Sequence, residues 1–474
     1  MTRFPIAFGF AALCLLSVMA CGTSRSAGMP SSPSSHAAAS SRAVPAGPAA
    51  APAPTAKPTS CGSGPPRRAY AEQISAAGQV TWQVRLPTDP TQQGISLPPV
   101  VIGGTAVFAE ENAVYALRVA DGHQLWKRAF PRTGSDLYTS MVYGLWQYRG
   151  SVIVLVGQVS SHSELFSLNS ATGAVQWRLP LGKQGETGSQ TLTGDGGLAM
   201  IYGHATLTVV DLATGTIRWS RTAGSSEGPV AVDGVVINAA PGQVMGYSSR
   251  TGGLLWTRAG MPEQAALLVS AGRVFVFNDD QAVYPPVPLW PVTALSPATG
   301  RTLSQTATSG PVFTQSAGPS GVAVATFDRH LDLIDTTTGH MRWSVRNQGS
   351  QLPFDTGTDV FYINGPPGSS RPSLVDVRAA NGSVRWSVPA PAASNGPVFG
   401  FGAYAVVFQD AMNQTGTPGV LTAFGLPTGK QAWTVKVPTL LQVPPVVTGA
   451  DLLVQPTDAS YGCAATGLVA AGRG

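Results

Sequence analysis

From about residue 75 onward the apolar residues come in short runs, many of them alternating with small or polar ones, and the runs are separated by glycine turns. Runs this short with a period near two predict β-strands rather than helices. Ala113-Val114-Tyr115-Ala116-Leu117 is one such strand, followed by a polar turn that ends in Gly122 and by a returning segment that carries Trp126. Glycine takes positive φ without a Cβ penalty, so the unit reads as a β-hairpin. Two further short strands precede it, Val100-Val101-Ile102 and Thr105-Ala106-Val107-Phe108, joined at Gly103-Gly104. Pro229 to Val232 and Val235 to Ile237, joined at Asp233-Gly234, repeat the arrangement.

The glycine and the tryptophan four residues after it recur along the chain. The pairs are Gly78 and Trp82, Gly122 and Trp126, Gly173 and Trp177, Gly215 and Trp219, Gly252 and Trp256, Gly339 and Trp343, Gly382 and Trp386, and Gly429 and Trp433. A ninth copy, Gly300, has Ser304 in the tryptophan position. Five residues before the glycine stands an apolar residue in every copy after the first: Leu117, Leu168, Val210, Tyr247, Leu295, Ile334, Val377 and Phe424. Four antiparallel strands in each unit of about 44 residues make the blade of a β-propeller. Unrelated sandwiches would not hold the glycine-to-tryptophan offset constant.

The N-terminus follows a different pattern. Residues 1–20 have a basic start at Arg3, an apolar run too short for a permanent span, and small Ala20 just before Cys21, which is the layout of a secretion signal. It resembles the lipobox of bacterial lipoproteins, with Cys21 as the lipidated residue. Ordinary secretion with cleavage elsewhere is the alternative. Residues 21–66 are rich in Ala, Ser, Pro and Thr and hold no acidic residue, so they cannot bury enough surface to offset ordering. They read as a tether reaching on the order of 100 Å if extended. Residues 67–474 form the propeller.

With those features in place the repeat resembles the PQQ-like (pyrroloquinoline quinone) propeller family over about residues 75–474. Leu333-Ile334-Asp335-Thr336-Thr337-Thr338-Gly339-His340-Met341-Arg342-Trp343 carries the likeness most closely. The anchored layout is similar to the BamB type of outer-membrane assembly lipoprotein. The resemblance implies that Trp82, Trp126, Trp177, Trp219, Trp256, Trp343, Trp386 and Trp433 are structural, each docking between blades. The expected fold is all-β, a propeller of eight or nine four-stranded blades whose ring closes by pairing N- and C-terminal strands. Eight complete units plus leftover strands at both ends count literally as nine, whereas the resemblance favours eight, the preferred number.

In such a blade, loops after the second and fourth strands open on one face and those after the first and third on the other. The Thr-Gly turns are short. The longer segments, Pro131 to Gly150, Ser160 to Glu164, Asp279 to Pro291, Asn364 to Pro372 and Gln409 to Gly419, fall on the first face, the expected place for function. The candidate binding residues there are Tyr138, Tyr143, Trp146, Asp279, Asp280, Tyr284 and Trp290, with packing of the loops onto the rim as the alternative. A protein partner or small ligand is expected, without nucleic acid. No catalytic residue and no metal set stands out: the six histidines are scattered, and no nucleophile elbow or phosphate loop is present. By the resemblance, quinone dehydrogenases carry adjacent cysteines over the cofactor. This chain has none, so PQQ is disfavoured and no cofactor is expected. The rival to a binding scaffold is a quinoprotein-type oxidoreductase or another enzyme with its site in the funnel.

Charge and cysteines refine this reading. The net charge of +5 comes from the first 68 residues, where Arg3, Arg25, Arg42, Lys57, Arg67 and Arg68 precede any acid, leaving 23 basic against 24 acidic residues for the rest. The basic balance therefore belongs to a leash at an anionic envelope and offers no nucleic-acid surface. Cys14 leaves with the signal and Cys21 takes lipid, so Cys61 and Cys463 remain as a pair able to tie the termini together. Loop closure sets an upper bound of about 6 kcal/mol on that cross-link. Two buried thiols are the other state. Thiol titration of the unfolded mature domain is expected to give no reactive thiol before reduction and two after; two before reduction would exclude the disulfide.

Overall fold

The computed structural model describes residues 69–456 of the 474-residue chain, apart from 88–96, 111, 131–140, 158–162, 183–192, 196, 204–205, 225–227, 279–289, 350–352, 367–368, 392–397, 410–418 and 439–444. The described residues form nine four-stranded antiparallel sheets. Eight are continuous in sequence. Blade 1 comprises Val100–Ile102, Thr105–Glu110, Ala113–Arg118 and Gln124–Ala129, and blades 2 to 8 follow in order, ending with the strand Gln431–Val437. The ninth joins the two ends of the chain: Val446–Thr448 and Asp451–Val454 supply its inner strands, Ala69–Ser75 and Val80–Leu86 its outer ones. Glu72 pairs with Val454 and Ser75 with Asp451 across that junction. The blade number is thus the nine of the literal count. The eight preferred from the resemblance is corrected because the split blade carries its own glycine and tryptophan.

The burial pattern explains why the blades stack. In blade 1 the second strand is buried at every position and the third at all but its last, whereas the fourth is mostly exposed. Middle strands covered on both faces need a neighbour on each side, which only a closed ring supplies to every blade. Nine apolar clusters fill nine seams. Ala106 and Phe108 of blade 1 meet Ala71 and Leu86 of blade 9, for instance, and Phe401 and Leu421 of blade 8 meet Ile74 and Leu452 on its other side.

Eight of the nine seams carry the same device at their periphery, the exception being the one where Ser304 faces Gly339. The nine repeat glycines all have φ between +65° and +73°. Trp126 of blade 1 lies flat on Gly173 of blade 2, where an added Cβ would stand 2.7 Å from the indole Cδ2. The indole N–H then donates to the carbonyl of Ser170, three residues before that glycine, at 2.8 Å. Trp343 covers Gly382 and donates to Ala379 O at 2.8 Å, and Trp433 covers Gly78 and donates to Ala76 O at 3.0 Å, which locks the closing blade. In the outermost strands the ladder slips one residue just before the tryptophan, as at Ala116/Leu117, so each edge strand is bulged. The blade 9 turn is one residue shorter: Gly78 N–H reaches Ser75 O, whereas Gly122 N–H reaches Arg118 O. This puts the buried Ile74 four residues before the glycine, and explains why the first repeat lacks an apolar residue at five.

Ser304, in place of the ninth tryptophan, sits against Gly339, and its hydroxyl is buried with no hydrogen-bond partner. Trp343→Ala is expected to cost about 3 kcal/mol through lost burial and a cavity. Ser304→Ala, which removes an unpaired buried hydroxyl, is expected to be neutral or to stabilise by up to about 1 kcal/mol. Denaturant midpoints of the two variants check both values.

Candidate functional site

The fold distributes polar chemistry over three regions: the funnel lined by the innermost strands, the seams between blades, and the two loop faces. Innermost strands of successive blades adjoin one another around the axis. Their half-exposed residues include Val100, Val101, Ile102, Val230, Phe354, Phe399 and Val446, and none of the nine inner strands contains Lys or Arg. A quinone cofactor bearing three carboxylates needs cations to replace its water. The inner strands, among the described residues, supply no such cation. Among the described residues, no three His, Cys, Asp or Glu side chains gather where they could hold a metal ion.

The candidate binding residues from the sequence divide sharply. Tyr138, Asp279, Asp280 and Tyr284 lie outside the described residues, as do Cys21, Cys61 and Cys463. Tyr143 and Trp146, read as part of a loop insertion, stand on Met141–Tyr148, the innermost strand of blade 2. They pack half-buried, with Tyr148, against Ile153, Leu155 and Ile201 at the seam with blade 3. The strand was hidden because a bulge between Val142 and Gly144 breaks its alternation. Trp290 likewise opens the strand Trp290–Leu295 instead of ending a loop.

Buried acids went unnoticed in the sequence. Asp376 of blade 7 is fully buried opposite Trp386, and neither carboxylate oxygen has a hydrogen-bond partner. The Arg385 guanidinium is 3.7 Å from Asp376 but 2.7 Å from Asp359, so it serves Asp359 first. Burial, together with the Asp359 charge, pushes the Asp376 carboxyl up to about 7 against the pull of Arg385. Glu72 in blade 9 is also fully buried. One of its oxygens accepts from Gln83 and the other has no partner, and burial raises its carboxyl to about 7. Nearby, Gln455 donates to Ala109 O at 2.6 Å and to the Glu110 carboxylate at 3.2 Å. For Asp376 the signal available in the sequence was a carboxylate in the third-strand position opposite the tryptophan, which other blades fill with Ala116, Val209, Leu333 or Ala423.

Exposed turns show the opposite electrostatics. Asp335 accepts the N–H groups of Thr337 and Thr338 at 2.9 and 2.8 Å and pairs with Arg342. The Arg342 hydrogen bond and those backbone groups hold its carboxyl down to about 2. Asp211 repeats the arrangement with Arg218, at 2.6 Å. These groups brace the turns that present Gly215 and Gly339.

The fold thus defines a nine-bladed propeller whose blades are docked by tryptophan on glycine. The model of the family described as "Outer membrane protein assembly factor BamB" matches residues 161–318 and 370–467, more than half of the chain, and the protein belongs to that family. An assembly factor of the same description from Yersinia pestis is 27% identical over 207 residues, 39% of this chain and 49% of its own. The chain therefore spans about half the length of the curated relative it matches. BamB from Moraxella catarrhalis is 14% identical in its solved structure, over 77% of this chain and 99% of that one, with a TM-score of 0.45. A eukaryotic initiation factor structure is 12% identical, covers 81% of this chain and 98% of that one, and has a TM-score of 0.53, which reflects the shared fold alone.

The two raised carboxyls set the pH response above the acid range. In the unfolded chain they ionise near their ordinary values of 4.5 and 3.8, and in the ring near 7. Stability from these groups is thus complete below their unfolded values and is lost as pH rises to about 7, by up to about 3 kcal/mol for Glu72 and about 4 kcal/mol for Asp376. Melting curves from pH 5 to 8 are expected to show a falling midpoint, with a flatter profile in the Glu72→Gln, Asp376→Asn double variant. An unchanged slope in that variant would assign the pH dependence elsewhere.

Proposed function

We propose that the protein is a lipid-anchored, extracytoplasmic propeller that acts as a protein-binding scaffold in envelope protein assembly. Family membership carries this reading, because the matching family is described as an outer membrane protein assembly factor. The lipobox-like end at Ala20-Cys21 and the acid-free tether to residue 66 support the anchored location. A ring whose seams are clamped by indoles is a rigid platform, and rigid platforms present loops without an ordering cost at binding. The longer segments on the first face, including those holding Tyr138 and Asp279 to Tyr284, are the surface on which a partner is placed. A polycarboxylate quinone in the funnel would need cations to pair with, and the described inner strands carry no Lys or Arg.

Photo-crosslinkers at Tyr138 and Tyr284 in the full chain are expected to capture one envelope assembly protein in cells. Cys21→Ser is expected to abolish incorporation of labelled lipid and to release the protein from the membrane fraction. Membrane retention in Cys21→Ser would reject the anchor. Stoichiometric binding of quinone and calcium with dye-linked oxidation would reject the scaffold.

A further inference from the structure

A cleft of about 550 Å³ opens at the seam between the closing blade and blade 1, on the face of the short turns that the sequence reading set aside. Blade 9 lines it with Gln73, Thr81 and Asp451, and blade 1 with Gly103, Gly104, Arg118, Val119 and Ala120. Its size falls in the range of small-ligand sites, about 300–1,000 Å³. The space arises from sequence. Gly103 and Gly104 have positive φ, and a Cβ on either would meet nothing within 4 Å, so that part of the blade 1 wall is bare backbone.

Two opposite charges line the cleft, one from each blade. Asp451 is oriented from beneath: the Gln73 amide, 4% exposed, donates to one of its carboxylate oxygens at 2.7 Å. Gln73 occupies the position opposite the tryptophan where other blades have Ala116, Ser167, Val209, Gly246 or Ala423. A buried amide there adds nothing to apolar packing, and its hydrogen bond fixes the acid. Arg118 gives one N–H to Asp121 at 2.9 Å, its other donors are not used by that bond, and no ion pair joins it to Asp451. The Thr81 hydroxyl donates to Gln73 O at 3.2 Å. The frame is held by the Trp82 indole N–H on Val119 O at 2.8 Å and by Val119 N–H on Gly104 O at 2.9 Å. A carboxylate oriented by Gln73 and a guanidinium bonded to Asp121, not ion-paired with each other, present both signs to a ligand that carries both.

We propose that this cleft binds a zwitterion of amino-acid or dipeptide size, with the ammonium on Asp451 and the carboxylate on Arg118. Ammonium and carboxylate ends on a short backbone offer each of the two charges an opposite partner, and the glycine turn, where a Cβ would meet nothing within 4 Å, leaves room for that backbone. The site lies on the opposite face from the proposed partner surface and stands independently of the scaffold reading.

The test is ligand-observed NMR of the full mature propeller with L-alanyl-L-alanine, its N-acetyl form and its C-terminal amide. Saturation transfer to the free dipeptide is expected, and either block is expected to weaken binding at least about tenfold, the loss of one charged hydrogen bond. Arg118→Gln, a surface change, is expected to weaken the free dipeptide to the level of the amide and to leave the amide itself unaffected. Asp451→Asn is expected to do the same with the N-acetyl form. Melting curves confirm that each variant is folded. Equal transfer to blocked and free dipeptides, no transfer at millimolar ligand, or unchanged affinity in folded Arg118→Gln would each overturn the proposal.

Discussion

An indole lying flat on the backbone of the neighbouring blade requires a residue there with no side chain, and that requirement runs through the whole molecule. It explains why eight of the nine turns end in a glycine with φ near +70° that must both reverse the chain and receive the ring, whereas Gly339, facing Ser304, keeps only the turn requirement. Turn chemistry serves the same contact. Asp211 and Asp335 accept the backbone N–H groups that precede the glycine and hold the turn in position. Because the indole N–H also needs an acceptor, the carbonyl near the glycine is engaged, and the seam gains direction as well as area. The bulge beside each tryptophan twists an edge strand that would otherwise present a flat row of unpaired groups.

The blade pattern was readable in the sequence because it rests on glycine and tryptophan, whose roles tolerate little substitution and whose spacing survives differences in loop length. The literal blade count was readable for the same reason. What escaped reading depends on register or closure. The strand Met141–Tyr148 was hidden by its bulge, and with it the seam packing of Tyr143 and Trp146. Asp376 and Glu72 look like surface residues of alternating strands until the ring covers both faces of the blade. The cleft was beyond any local reading, since Gln73, Arg118 and Asp451 come together only when residue 451 pairs beside residue 75.

Of the buried carboxylate and amide side chains, Glu72, Gln73, Glu110 and Gln455 lie where the ring closes, and Asn238, Asp332, Asn347 and Asp376 lie in other blades. Apolar clusters dominate the seams, yet the blade formed from both chain ends brings Glu72, Gln73, Gln83, Asp451 and Gln455 into or beside its strands. Burying such groups gains little stability in itself, and the raised Glu72 carboxyl shows a cost near neutral pH. Their effect is on register. An apolar strand pair sliding by one residue would move its side chains to the opposite face, and two short strands from distant parts of the chain have few other means of fixing their offset. The Gln73 bond to Asp451 and the Gln455 bonds to Ala109 and Glu110 form only when Glu72 meets Val454. In a slipped register these groups would be buried unpaired, at about 1–3 kcal/mol each.

That selection has a consequence for where binding chemistry can arise. Eight blades are hairpins whose register is set by their own turns, so the polar side chains buried in them, such as Asp332 and Asp376, are not needed to fix it. The ninth is assembled from two partners, so it must carry hydrogen-bonding side chains in its interior. Side chains that fix the register from within also orient charges at the surface, as Gln73 does for Asp451. The closing seam is therefore where a fold built on indole and glycine has charged groups already held in place, and the requirement for closure supplies the chemistry of the cleft beside it.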